Sequence, residues 1–420
     1  MNHLNLRKTL SFFCFFILLA FTIKIYGQEN KLTLSVAVDK AYENNPEIQQ
    51  WKAKLKAKSI DWRNGLGIQN PELTYFKEGM NRDSVPGFAE QRIAIRQSID
   101  FPLTSVYKVK TARKEFEAMQ LQFEAFKRQI KSEVKRQYIE LLYAIYHQRL
   151  MQEQLELAQN LNEAVKTRAE TGAGTGMDQL KAEIQLAQAQ NQIDYAERIL
   201  HQARYELFNT MGMDEDDQKY SIRFADTLRT QNDAIDQEAA LEFVTEHPAY
   251  TACIQNQKAA NYAVKAAKSQ FLPDLSLSFY QQDYGFGYDF TGFEVGISIP
   301  LWFPLNQNTQ IQQSKARLDE LKWKRHEIML EMKMQIEHAW HNYEASKNSM
   351  ERFKSIIRSK SDKLRDLTLE AYRLGEIDLL NLINAQQLYL DTRKNYLVTL
   401  RDYYTQLIEL EKFMNTDIVY

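Results

Sequence analysis

One stretch limits what this chain can fold into. Residues 306–374, 69 in all, contain neither proline nor glycine. Apolar residues recur there at three- and four-residue steps, through Ile311, Leu318, Leu321, Ile328, Met332, Ile336, Trp340 and Tyr343, with charged and amide residues between them. That spacing predicts one continuous amphipathic helix. At 1.5 Å per residue it reaches roughly 100 Å, far beyond the ~11–12 residues of an average helix. A globule of 420 residues does not enclose such a helix, so the chain has to form part of an elongated object.

The chain also writes its plan twice. Asn45-Pro46, Asn70-Pro71-Glu72-Leu73 and Phe101-Pro102-Leu103 return as His247-Pro248, Leu272-Pro273-Asp274-Leu275 and Phe303-Pro304-Leu305. All three prolines are displaced by the same 202 residues, which marks an internal twofold repeat. Each is expected at an element boundary, where a missing N–H and a fixed φ do least damage.

The first repeat is read as residues 28–211. It has a helix over 33–62, strands over 71–79 and 90–99, a proline- and glycine-free helix over 103–171, and a helix over 178–211 after the breaks at Gly172, Gly174 and Gly176. The strands show the two-residue alternation of half-buried chain, as in Ile93, Ile95 and Ile99 against Ala94, Arg96 and Ser98. Residues 212–236, with the acidic run Asp214-Glu215-Asp216-Asp217, read as an equatorial linker holding a short strand near Tyr220 to Phe224. The second repeat, 237–420, follows with a helix over 239–270, strands over 273–281 and 290–300, the helix over 306–374, a break at Gly375 and a helix over 378–413.

The lengths suggest an architecture. Two shorter helices stacked end to end match one long helix, so each repeat makes a long column beside a composite one. The turns at Gly172–Gly176 and Gly375 send the chain back antiparallel. The strands lie at the opposite end. They have the ~9–11 residues of tilted membrane strands, apolar on one face and polar or small on the other. The expected class is mainly α with a small β part: an antiparallel helical tunnel bundle plus four transmembrane strands per chain. Four strands do not close around a channel, so closure needs several chains.

The remaining composition narrows the function. A formal net charge of −2 argues against nucleic acid as a partner. Residues 1–27, with Arg7 and Lys8 before an apolar run ending near Ile23, read as a secretory signal peptide; the run is short for a retained membrane anchor. Cys14 would leave with that segment, and Cys253 then stands alone as a small buried hydrophobe. No nucleophile elbow, phosphate loop or His-Glu-x-x-His pattern is present, so neither an enzyme nor a cofactor is expected. His326, His338 and His341 with Met329, Met332 and Met334 include ligand types for copper or zinc. Their helical spacing reads first as an ordinary helix face; no metal site is assigned, with His338 and His341 as the only candidates.

The residues quoted above, together with three further segments, resemble the TolC-like outer-membrane efflux proteins. Val295-Gly296-Ile297-Ser298-Ile299-Pro300-Leu301 is similar to that family's strand before its long helix. Tyr372-Arg373-Leu374-Gly375-Glu376-Ile377-Asp378-Leu379-Leu380 with Ile383-Asn384-Ala385-Gln386 is similar to its second hairpin tip. Thr171-Gly172 through Asp178-Gln179-Leu180 fits the first tip, with more glycine than usual. The resemblance covers essentially the whole mature chain.

The resemblance implies a homotrimer whose twelve strands close one barrel in outer-membrane lipid, above a helical tunnel in the periplasm. It implies that Thr171, Gly172, Gly174, Gly176, Leu374, Gly375 and Glu376 form tips that meet a periplasmic adaptor protein, which links to an inner-membrane pump of the resistance-nodulation-division type. Gln69-Asn70-Pro71-Glu72-Leu73 resembles the branch serving heavy-metal cation pumps. Where the family often carries acidic gate residues, this chain has Asn381 and Asn384, three apart on one helix face, which implies a neutral pore constriction. The tip glycines are expected to supply positive φ, and Glu376 and Asp378 to cap the following helix. The expected function is the exit duct of a tripartite efflux system. The duct of a type I protein secretion system and a soluble periplasmic coiled-coil scaffold stay open beside it.

Overall fold

The computed structural model describes residues 31–80, 88–172, 174–213, 223–224, 236–285, 289–353, 358–414 and 417–419. The expected signal peptide and most of the linker over 212–236 lie outside them. Strand β1 (Lys31–Leu32) opens the described chain. Helix α1 (Leu34–Asn44) follows, with the Thr33 hydroxyl accepting from the Val36 N–H. Asn45 then ends α1 and caps α2 (Pro46–Ser59), its Oδ1 accepting from the N–H groups of Glu47 and Ile48 at 2.9 and 3.2 Å. The single helix expected over 33–62 is therefore two helices and a 3₁₀ turn, Asp61–Leu66. Proline at the first helical position has no N–H to continue the preceding helix, and it pushes Asn45 out of helical conformation.

Strands β2 (Glu72–Glu78) and β3 (Glu90–Ile99) lead to α3 (Pro102–Glu170), a helix of 69 residues, and α4 (Gly176–Thr210) runs back beside it. The two are joined by a heptad seam. Ala182, Ala189, Ala196 and Ala203 on α4 are all buried, and so are Val165, Ala158, Met151 and Ala144, which step by seven in the opposite direction along α3. Seven-residue periodicity keeps one stripe of each helix on its partner, and alanine lets the two backbones approach closely.

Strand β4 (Arg223–Phe224) pairs parallel with β1. In the second repeat the helix expected over 239–270 is again two, α5 (Gln237–Phe243) and α6 (Pro248–Ser269). His247 stands where Asn45 stands in the first repeat, and its Nδ1 accepts from the Ala249 N–H at 3.2 Å. Strands β5 (Asp274–Asp283) and β6 (Asp289–Ser298) come next. The helix expected over 306–374 is described as α7 (Gln307–Arg352) and α8 (Arg358–Arg373), with 354–357 outside the described residues. Helix α9 (Leu379–Glu411) completes the fold.

The largest core lies at mid-height, where both repeats meet. Val134, Tyr138 and Leu141 of α3 join Leu207 and Phe208 of α4, Ile336 of α7 and Leu407 and Ile408 of α9. The Tyr138 hydroxyl donates to the Leu32 carbonyl at 2.8 Å, which ties α3 to β1. The last described segment inserts Ile418 and Val419 fully into the same core. Sequence reasoning assigned no role to that segment.

Candidate functional site: a two-faced sheet and paired helical tips

The four longer strands form one antiparallel sheet in the order β2-β3-β5-β6, so β3 and β5 join the two repeats. Directly paired residues share a face. One row across all four strands is Leu73, Ile95, Phe279 and Phe293, with exposures of 74%, 49%, 55% and 65%. Leu277 pairs with Val295 and Leu275 with Ile297 on the same face. Side chains of this size left in the open are a surface awaiting an apolar medium.

The opposite face is polar or small. Its rows read Glu72, Arg96, Ser278 and Glu294, then Thr74, Ala94, Tyr280 and Gly292. The Arg92 guanidinium lies over the rings of Phe76 and Tyr280, at 5.9 and 5.6 Å. Tyr280 also explains Gly292: a Cβ there would run into the tyrosine ring. Among the described residues β2 and β6 are the sheet's edges, and no helix is long and apolar enough to cross a membrane.

At the far end of the long helices two tips stand side by side. Leu161 and Val165 of α3 and Ala182 of α4 share a small core with Tyr372 beside Leu379 and Leu382. The Arg168 guanidinium covers the Tyr372 ring at 5.1 Å. At the second tip Gly375 has φ 78°. Its N–H donates to the Tyr372 carbonyl, and the Glu376 N–H reaches back to Ala371, at 3.1 and 2.9 Å. That pair of bonds is a Schellman cap, which requires the left-handed residue glycine tolerates. Gly172 is likewise left-handed at the first tip, with φ 74° and its N–H donating to the Ala169 carbonyl at 3.1 Å, while the Thr171 hydroxyl donates to the Arg168 carbonyl at 2.9 Å.

The matching expectation for Gly176 is corrected, since its φ is not positive. A Cβ on Gly174 would press on the Ala169 backbone nitrogen at 3.0 Å, so close approach accounts for that glycine, whereas nothing lies near a Cβ on Gly176. Thr175 and Asp178 start α4 with a reciprocal capping box. Asp378 starts α9, its Oδ1 accepting from the Asn381 N–H at 2.8 Å. Glu376, the other expected cap, is not the N-cap residue. Exposed apolar residues flank both tips, with Met177, Leu180 and Ile184 on α4 and Leu374 and Leu380 beside Gly375.

With this geometry in view, the outer membrane efflux protein family, through its sequence model, matches residues 37–213. Two solved structures share the fold over 90% of this chain. One is a membrane protein from Pseudomonas aeruginosa, with TM-score 0.78, 16% identity and 89% of its own chain covered. The other is the outer membrane protein VceC from Vibrio cholerae, with TM-score 0.76, 17% identity and 95% of its chain covered. The chain is TolC-like in fold, and its first repeat is similar to the outer membrane efflux proteins. A curated relative, the outer membrane efflux protein BepC of Brucella suis biovar 1 (strain 1330), is 26% identical over 230 residues, 53% of this chain. The match spans 49% of that relative, about half its length.

In this efflux-protein fold the remaining candidate residues take definite places. Asn381 and Asn384 are both exposed on α9, beside buried Leu382 and Ala385. His338 and His341 are exposed on α7, and among the described residues no group of three or more His, Cys, Asp or Glu side chains is placed to hold a metal ion. Cys253 is half-buried, its thiol facing the Ala249 carbonyl at 3.4 Å.

Proposed function

We propose that the chain is one subunit of a passive exit duct in the outer membrane, conducting small molecules or metal ions when engaged by a periplasmic adaptor and an inner-membrane pump. The observation that carries this reading is the two-faced sheet. Its apolar face suits lipid and its small, charged face suits water. Open edges at β2 and β6 leave the sheet incomplete in one chain, and three chains would bring twelve strands to one barrel. Leu301 and Trp302, 75% and 73% exposed between β6 and α7, stand where aromatic and apolar residues line a membrane boundary.

The helical part then hangs in the periplasm with the tips at its far end. Thr171, Gly172, Gly174 and Gly176 at one tip, and Leu374, Gly375 and Glu376 at the other, form the surface for the adaptor. Exposed Met177, Leu180 and Leu380 add the apolar contact such docking needs. Asn381 and Asn384 line a neutral constriction just above. A pump of the resistance-nodulation-division type supplies the energy.

The test is localisation followed by conductance. The chain expressed in a Gram-negative host should fractionate with the outer membrane, require detergent for extraction and crosslink as a trimer. It should open ion-conducting channels in planar lipid bilayers. Release without detergent would instead identify a soluble scaffold.

A further inference from the structure

The small, charged face of the sheet changes character towards its outer end, where turns join β2 to β3 and β5 to β6. Outward from the row of Thr74, Ala94, Tyr280 and Gly292, the next row on the same face is Phe76, Arg92, Gln282 and Phe290. Phe76 and Phe290 stand on the two edge strands and are 41% and 52% exposed. Rings in the open belong on the lipid side of a membrane strand, where the alternation of β2 puts Tyr75. A girdle at the membrane boundary accounts for such rings only on that side, so Phe76 and Phe290 need another reason. We propose that their row is an aromatic collar, a second constriction at the outer end of the duct, which favours planar aromatic solutes among those that pass. The inference rests on the duct reading above, which turns this face towards water.

The side chains make a continuous belt. The Arg92 guanidinium bridges the rings of Phe76 and Tyr280. The Tyr280 ring reaches across to β6, over the place where Gly292 has no side chain. Beyond it the Tyr284 and Phe290 rings meet edge to face, with centroids 6.0 Å apart. The Gln282 amide holds this end in place, donating to the Tyr284 hydroxyl and to Glu90 Oε1, both at 2.6 Å. Rings held in this way have little freedom left to lose when a flat solute stacks on them. Ring faces and a guanidinium plane attract another aromatic plane more than an aliphatic chain of similar size.

Position makes the belt a constriction. Barrels of about eight strands are filled by their own side chains, and those of about 16–18 enclose an open aqueous channel. A twelve-stranded ring lies between these limits, so large inward side chains narrow it, whereas Thr74 and Ala94 in the row behind leave it wider. Ring closure sets β6 of one subunit beside β2 of the next. With Phe290 on one of those strands and Phe76 on the other, the belt continues from subunit to subunit.

The test records single channels in planar bilayers, with uncharged N-acetyltryptophanamide or N-acetylleucinamide added on the barrel side. The indole should halve the open-channel current at a concentration about tenfold below that of the aliphatic amide. Phe76→Ser with Phe290→Ser should raise the conductance without solute and bring the two amides within about twofold of each other, the loss of two stacking contacts. Phe76→Tyr with Phe290→Tyr should keep the preference. If the serine pair does not insert, Phe76→Leu with Phe290→Leu decides, because it keeps apolar bulk and removes the rings. Channels that respond equally to both amides overturn the collar and leave the duct standing, as does a preference that survives in either ringless pair. Inserted protein that opens no channels overturns the duct reading and the collar with it.

Discussion

Lys135, midway along α3, and Glu411, the last residue of α9, form an ion pair whose side chains are only 4% and 8% exposed. The same carboxylate accepts from the N–H groups of Ile418 and Val419 at 3.1 and 3.0 Å, and the Lys135 ammonium also donates to the Val419 carbonyl at 2.6 Å. Burial pulls the Lys135 ammonium below the usual lysine range, against the attraction of Glu411. Removing one member of a buried pair strands the other, at a cost of about 3–5 kcal/mol. Lys135→Met should therefore lower the denaturant midpoint and speed hydrogen exchange at the Ile418 and Val419 amides. Adding Glu411→Gln to it should recover part of the loss. Full stability in the single variant would show that the pair contributes nothing.

His247 gives the fold an acid limit. Burial pushes its imidazole down from 6.5 to about 4, helped by the nearby Arg128 charge. The neutral ring caps α6 through Nδ1, and a proton on that nitrogen would remove the acceptor. The folded pKa is the depressed one, so this contribution is complete above the ordinary value of 6.5 and is lost as pH falls towards 4. Linkage puts the loss at roughly 3 kcal/mol. His247→Asn should keep the cap, as Asn45 does in the first repeat, and flatten the acid side of the stability–pH curve. Thermal melts at several pH values between neutrality and pH ~4 read both effects; an unchanged curve would count against His247 as the acid-labile group.

The tip glycines separate by backbone angle. Gly375 is left-handed and Gly176 is not. Gly375→Ala should destabilise its tip by about 1–2 kcal/mol. Gly176→Ala meets no neighbour and should stabilise α4 by about 0.4–1 kcal/mol through the unfolded state. Hydrogen exchange at the two tips distinguishes them. The same direction of change at both sites would refute the conformational account.

Asn381→Asp tests the proposed constriction. The exposed side chain would bring one negative charge per subunit to a narrow ring. Cation selectivity and block by multivalent cations should both rise in single-channel recordings, most strongly at low salt. Unchanged conductance and block would place the constriction elsewhere.

The long helices and the sheet were legible because their signals are coarse. An absence of breakers over 306–374 and a two-residue alternation through Ile93 and Ile95 survive any neighbour the rest of the chain supplies. The breaks at Asn45 and His247 were less so, since apolar periodicity runs on across them and only the residue before each proline shows that a cap is being made. The α3–α4 seam escaped for another reason. It is built on Ala182, Ala189, Ala196 and Ala203, and a search keyed to large side chains passes over alanine. The burial of Ile418 and Val419 depends on Lys135, 284 residues before Val419 in the chain.

The β3–β5 junction has a consequence in time. Ile95 pairs with Phe279, about 180 residues later in the chain. Synthesis at roughly 5–20 residues per second separates the two by on the order of ten seconds or more. In that interval α3 and α4 can zip their seam, since every contact lies within one repeat. The β2–β3 ribbon cannot finish; two strands alone are marginal, and β3 waits with an unpaired edge. The α3–α4 seam can thus form from the first repeat alone, whereas the four strands come together only once the second repeat has been made. A chain cut short between the repeats would leave a zipped α3–α4 seam without its second-repeat core, and an adhesive hairpin.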